Sequence, residues 1–355
     1  MKYRAVSIPT LKTRRKDGLI LLRDASSDKR DQKIDSRKSW GNIFAAALLS
    51  AGLDKAAARV RDCAEALFFE EVTDQSTAEL ALRLYSAPFC KYRHCPICQW
   101  RRSLKVKATL MSALPAILEQ HPTARFLFLT LTVRNCDLSD LRETIQAMNK
   151  GWKRLIQRKD WPALGWIRAT EVTRGKDGSA HPHFHSTLMV PASYFSGKGY
   201  VPTREWVRRW RDAMRLDYDP VCDVRVIHPK KASKEISKGG TTAASVVDQQ
   251  MAALYSAIAE TAKYPIKSAD LLQGGPEWLA RYIEQVHALK FLTSGGAFKG
   301  IMQDLRTLGA ADEDLTHYGQ DGKPKQRVSP ENLLAFHFRK PLNAYGRKRK
   351  GGENG

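Results

Sequence analysis

Apolar and polar residues alternate over residues 125–134, RFLFLTLTVR, a stretch of β-formers that predicts a strand. Residues 165–172 predict a second strand, RGKDGS at 174–179 a turn, and 181–190 a third strand, so that these two strands form a hairpin. A fourth strand is expected at 222–228. Helical spacing dominates elsewhere. Trp40, Ile43, Phe44, Ala47 and Leu48 recur at intervals of three and four, and the apolar run from Ala66 to Phe69 extends a helical reading over 40–70, with a break at Leu53 and Asp54. Residues 102–118 read as a helix that Pro115 kinks or ends. Asp137 or Ser139 is placed to cap a helix running to about Gln157. Further helices are predicted at 203–216, at 246–263 (ended by Pro265) and at 276–292. Strands and helices alternate without a Gly-rich phosphate loop, which argues for an α+β chain. The expected organisation is a polar basic arm at 1–39, a helical region at 40–118 with a cysteine-rich segment, a strand-bearing domain at 119–270, and a helical region with a basic tail at 271–355.

Composition narrows the function. The 355 residues are 43% hydrophobic, enough for a real core, and no apolar run is long enough to span a membrane. No signal peptide is evident, so a cytoplasmic protein is expected. The net charge of +22 calls for a polyanionic partner, with nucleic acid first and a membrane surface second.

Two patterns carry chemistry. HPHFHSTLMV sets His181, His183 and His185 at alternate positions, on one face of a strand, with Phe184, Leu188 and Val190 on the other. Imidazoles so spaced can share one metal ion, and Glu171 on the partner strand can add a carboxylate; that mixture favours Mn²⁺ or Mg²⁺ over a soft metal. AETAKYPIK sets Glu260 and Tyr264 four apart on one helix face. A phenol titrates near 10, so a nearby metal and Lys263 or Lys267 would be needed to favour the phenolate, while Glu260 can serve as a base for water. Tyr255 is the rival nucleophile.

The segment CKYRHCPICQWRRS supplies Cys90, Cys95 and Cys98. Structural zinc takes four ligands, and Cys63, 27 residues upstream, is the natural fourth, with His94 the alternative. Zinc there would fasten Arg101 and Arg102 toward DNA. Cys136 and Cys222 have no partner pattern. Arg208 and Arg209 lie on a basic helix whose arginines suit phosphate contacts, while Trp206 and Trp210, four apart, read as a core stripe.

Three motifs in order resemble those of the rolling-circle plasmid replication initiators of the HUH endonuclease superfamily: FLTLT at 128–132, HPHFH at 181–185 and ETAKY at 260–264. The cysteine segment resembles one that such initiators carry upstream, and the resemblance spans about residues 60–270. It implies an HUH fold, a central antiparallel sheet with the histidine motif on a middle strand and the tyrosine on a helix beneath. It also implies a metal held by His183 and His185, with Glu171 or His181 as third ligand. Tyr264 would attack a phosphate of plasmid origin DNA, single-stranded at the nick, keep the 5′ phosphate and free a 3′ hydroxyl. Glu260 would activate water for termination. Since no GxxxxGK[ST] motif is present, a host helicase would act beside a host polymerase. A single-strand transposase or relaxase of the same superfamily, a zinc-containing DNA-binding regulator and a small-phosphodiester hydrolase are the competing readings.

Overall fold

The computed structural model describes residues 18–26, 29–73, 80–196, 199–227, 268–300, 329 and 332–348. The helix expected at 246–263, and with it Tyr255, Glu260, Lys263, Tyr264 and Lys267, lies outside them, as does the basic tail from residue 349. The chain divides into two compact units, residues 1–104 with 311–355, and residues 105–310. The architecture is α+β, with an antiparallel sheet in each unit.

In the first unit, β1 (Leu19–Leu21), α1 (Leu22–Ala25), α2 (Lys29–Ser50), α3 (Asp54–Asp62), β2 (Ala66–Thr73) and β3 (Leu80–Ser86) come early in the chain, and α4 (Pro96–Gln120) begins here. The expected break between α2 and α3 falls at 51–53, where Gly52 takes a positive φ. The helical reading fails at Ala66–Thr73, which is a strand. Its apolar run (Leu67, Phe69) pairs with distant residues, and tertiary pairing overrides local periodicity. Residues expected in a polar arm are likewise built in: Leu21 and Leu22 are buried, and Lys38 is fully buried on α2. The Lys38 ammonium is matched by the Cys63 carbonyl at 2.9 Å and the Glu65 carboxylate at 2.9 Å, which makes its burial tolerable.

The second unit contains the C-terminal part of α4 and β4 (Arg125–Thr132), α5 (Leu141–Ile156), β5 (Gly165–Arg174), β6 (Ala180–Val190), α6 (Thr203–Met214), β7 (Cys222–Val226), α7 (Ser268–Gln273), α8 (Gly275–Gln285) and β8 (Leu292–Gly296). Pro115 sits inside α4, which runs on to Gln120, with Leu114 and Ile117 buried around it. The last two strands, β9 (Leu334–Arg339) and β10 (Ala344–Lys348), return to the first unit and complete its sheet in the order β1-β10-β9-β2-β3. The expected helical region after 270 is therefore corrected: beyond α8 the described residues include three strands, of which β8 pairs with β5 and β9 with β2, far away in sequence.

The second sheet runs β7-β4-β6-β5-β8, all antiparallel, so β6 is the central strand. Alternation divides its faces. Leu127, Leu129, Leu131, Phe184, Leu188 and Val190 pack against Met148, Trp152, Leu155, Trp206 and Trp210 of α5 and α6. On the opposite face, Phe126, Ile167 and Met189 are covered by Leu110, Leu114, Ile117 and Leu118 of α4. Farther along that second face the side chains turn polar, and the histidines stand there.

Candidate metal centre and a second cysteine centre

The β5–β6 hairpin fixes the first donor set. Its turn is closed by Asp177, whose carboxylate accepts from the Ser179 N–H at 3.1 Å and hydroxyl at 2.6 Å, with Gly178 at a φ of +88° that a side chain would strain. The register then places Glu171 directly opposite His183, and Ala169 opposite His185. A one-residue slip would send both histidines into the apolar core, so the core and the site specify the same register.

Glu171 Oε2 lies 3.5 Å from His183 Nε2 and 3.0 Å from His185 Nε2. Two ligands each about 2.1 Å from one ion, at angles between about 90° and 110°, stand roughly 3.0–3.4 Å apart. The donors therefore fit a shared cation. The other ring nitrogens are engaged: His185 Nδ1 with the Thr130 hydroxyl at 3.1 Å, and His183 Nδ1 with the His181 carbonyl at 3.2 Å. A His183 Nδ1–H donating to that carbonyl leaves Nε2 with its lone pair toward Glu171. Phe128 stacks on His185 at 5.4 Å between centroids and holds the ring's plane. Burial alone would raise the Glu171 carboxyl, but the His183 and His185 imidazoles outweigh it and hold it down to about 2. The Glu171 carboxyl is therefore ionised at neutral pH.

His181 is not part of this convergence. It stacks on His183 at 5.3 Å and faces Thr173 across the hairpin, with its Nδ1 buried and lacking a hydrogen-bond partner. The roles of Thr130 and Phe128 were not read from sequence. The signal was the alternation itself, since the face that carries His185 on β6 must carry Thr130 on β4.

The second donor set is in the first unit. Cys63, at the end of α3, meets Cys90, Cys95 and Cys98, all four sulfurs lying within 4.8 Å of one another. Cys63 and Cys90 each stand 3.7 Å from Cys98. That separation is the edge of a tetrahedron with bonds of about 2.3 Å, the zinc–thiolate length. Backbone N–H groups of Cys90 and Tyr92 point at the Cys63 and Cys90 sulfurs at 3.4 Å each. The neighbouring sulfurs, with burial, push the Cys63 thiol up, and neighbouring sulfurs pull the Cys98 thiol down against its burial. His94 is outside the group. Burial pushes its imidazole down to about 3, so it stays neutral.

The expected DNA-facing arginines divide. Arg101 is buried, its guanidinium 3.2 Å from the Phe89 ring centre, and Arg209 is buried between Asp160 and Glu205. Both brace the fold, because a buried guanidinium needs its partners inside. Arg102 is exposed but caps the Arg93 and Lys91 carbonyls at 3.0 and 2.7 Å. Arg208 is exposed and paired with Glu205 and Asp212.

Comparison with known proteins fits this picture. Residues 81–345 match the replication protein family. A rep protein of Lentilactobacillus hilgardii is 33% identical over 90% of this chain and 97% of its own length. A rep protein of Streptococcus pneumoniae is 35% identical over 74% of this chain and 76% of its own, and one of Bacillus amyloliquefaciens 34% identical over 80% and 83%. No solved structure matches the chain. With three motifs in order, two converging donor sets and relatives aligned along most of their length, the chain belongs to the replication protein family.

Proposed function

We propose that this protein initiates rolling-circle replication of a plasmid by nicking one strand of origin DNA. The observation that carries the reading is the convergence of Glu171, His183 and His185 on one point of the central strand, with both histidine rings oriented from behind. Three donors leave coordination positions for a phosphate, which suits a catalytic ion better than a structural one. A bound Mn²⁺ or Mg²⁺ would polarise the scissile phosphate. The arrangement of this sheet supports an HUH-type fold, with the histidines on the middle strand.

In this reading Tyr264 supplies the nucleophile. Its phenolate oxygen bonds to phosphorus, the P–O3′ bond breaks, and the departing oxygen takes a proton to become the 3′ hydroxyl that a host polymerase extends. The 5′ phosphate stays on the tyrosine. At termination Glu260 takes a proton from the water that attacks the phosphate. Lys263 and Lys267 flank the phenolate in sequence and favour its ionisation. Origin DNA, a host helicase and a host polymerase are the implied partners, and the cytoplasm the implied place. No helix among the described residues is long and apolar enough to cross a membrane.

The test is incubation of the full chain with supercoiled DNA of its own replicon and Mn²⁺, followed by denaturing electrophoresis. An EDTA-sensitive nick with a covalent 5′ adduct, absent in Tyr264→Phe, is expected. An adduct that survives in Tyr264→Phe moves the nucleophile to Tyr255. Tight binding without a nick under any divalent metal overturns the reading in favour of a non-enzymatic regulator.

A further inference from the structure

Five arginines of the second unit are committed to carboxylates. Arg158 pairs with Asp160, Arg208 with Glu205 and Asp212, Arg209 with Asp160 and Glu205, Arg211 with Asp219, and Arg225 with Asp223. Arg134 is not one of these. It is exposed, and among the described residues its guanidinium forms no ion pair. It is nonetheless fixed in place. The guanidinium carbon lies 3.7 Å from the centre of the Tyr218 ring, and the Arg134 backbone N–H donates to the Tyr218 hydroxyl at 2.9 Å. One phenol thus holds the residue at both its backbone and its charged end. Stacking uses the flat face of the guanidinium and leaves its in-plane N–H groups for an acceptor.

Position gives the acceptor its identity. Across β4 and β6, Thr130 faces His185 and Thr132 faces His183. Val133 is buried with Leu131 in the core of the opposite face, so continued alternation leaves Arg134 on the polar face of Thr130 and Thr132. Pairing resumes at the bridge between Cys136 and Ala180, one residue out of step, so the chain bulges between Thr132 and Cys136, the stretch that holds Arg134. A bulge re-aims the side chains beside it. The sheet face that carries the donor triad therefore continues into an unpaired, preorganised cation.

We propose that Arg134 is a phosphate-contact residue: its guanidinium, stacked on Tyr218, grips a backbone phosphate of the single strand adjacent to the one presented to the triad. This rests on the nicking reading for the identity of the neighbouring phosphate. The chemistry is that of a bidentate N–H pair on a phosphodiester, which sets the register of the strand. A lysine would keep the charge and lose the fork.

The experiment is fluorescence anisotropy of a labelled single-stranded oligonucleotide from the replicon's own nick region, with the full-length protein, in EDTA, across a salt series. Arg134→Gln is expected to weaken binding about tenfold at low salt and to reduce the slope of log affinity against log salt by about 0.7, the value for one phosphate of a single strand. Arg134→Lys keeps the slope but loses part of the affinity. Tyr218→Leu, which leaves every charge in place, weakens binding about threefold. Arg225→Gln, an exposed arginine already paired with Asp223, leaves both quantities unchanged. Under nicking conditions Arg134→Gln raises KM with kcat within about threefold of wild type. If Arg134→Gln gives the same isotherms as Arg225→Gln, or if wild type binds no single strand, the proposal is overturned. The two readings separate cleanly. A protein that never nicks but loses slope in Arg134→Gln keeps this proposal and abandons the nicking site, and a protein that nicks with an unchanged slope does the reverse.

Discussion

The two donor sets solve different problems with similar economy. The cysteine set is closed: four sulfurs with tetrahedral spacing, three of the residues buried and two of the sulfurs met by backbone N–H groups. The glutamate–histidine set has three donors on the face of a sheet, each ring steered from behind by Thr130 or the His181 carbonyl. A filled tetrahedron has nothing left to offer a substrate, so it can only hold chain segments together. An incomplete set keeps places for oxygen ligands and is suited to chemistry. The elements differ accordingly. The cysteines join the end of α3 to the segment around the start of α4, with the β2–β3 strand pair between them in sequence, whereas the histidines sit on a strand whose position the core already determines.

The contrast can be broken most decisively at the sulfurs. On the reading that the four cysteines hold zinc, Cys95→Ser is expected to release it and to cost several kcal/mol or more of stability, since metal binding by ligands from separate segments is coupled to folding. Elemental analysis with thermal unfolding checks it, and an unchanged melting temperature would make the cysteines ordinary thiols. EDTA dialysis should strip the histidine site of Mn²⁺ while leaving zinc in place. Next in size, His185→Ala should reduce nicking to below about 1% of wild type, roughly 3 kcal/mol of transition-state stabilisation, while the melting temperature shifts by no more than a few degrees. A large loss of stability instead would mean that both sets are structural. Glu171→Gln keeps the shape and removes the charge. It should weaken Mn²⁺ binding by about 10²-fold, measured by calorimetry. Thr130→Val acts only through the orientation of His185, and about a tenfold loss of metal affinity is expected, at the low end for outer-shell partners. Smallest of all, His181→Ala should leave Mn²⁺ affinity unchanged. An effect as large as that of Glu171→Gln would make His181 the third ligand.

Legibility in the sequence follows the distance over which residues must cooperate. β4, α5, the β5–β6 hairpin and α6 were readable because each carries strong alternation or periodicity along its own length, even where, as in β4, the pairing partners are distant. The pairing of Glu171 with His183 was approachable, since a tight turn restricts the register to few choices. The first sheet was not readable. Leu67 pairs with Phe336 and Tyr345 with Phe338, and strands of five or six residues such as β9 and β10 carry too short a pattern to announce partners elsewhere in the chain. Charge misled in one respect: Lys38, Arg101 and Arg209 count toward the basic surface in composition but are inside the protein.

The discontinuous first sheet has a consequence for the order of events on the ribosome. Synthesis proceeds from the N-terminal end, and domains tend to fold as their residues emerge. All the described strands of the second sheet have been made once Gly296 has emerged, so the histidine face can form while synthesis continues. The first sheet must wait, because β9 lies between β2 and β10, and β1 pairs only with β10. Until residues 334–348 are translated, β2 keeps an unpaired edge and β1 has no partner. β1, made before the other described strands, is thus among the last to be locked into place, and a nascent chain arrested near residue 300 would carry a formed histidine face and an unfinished first sheet.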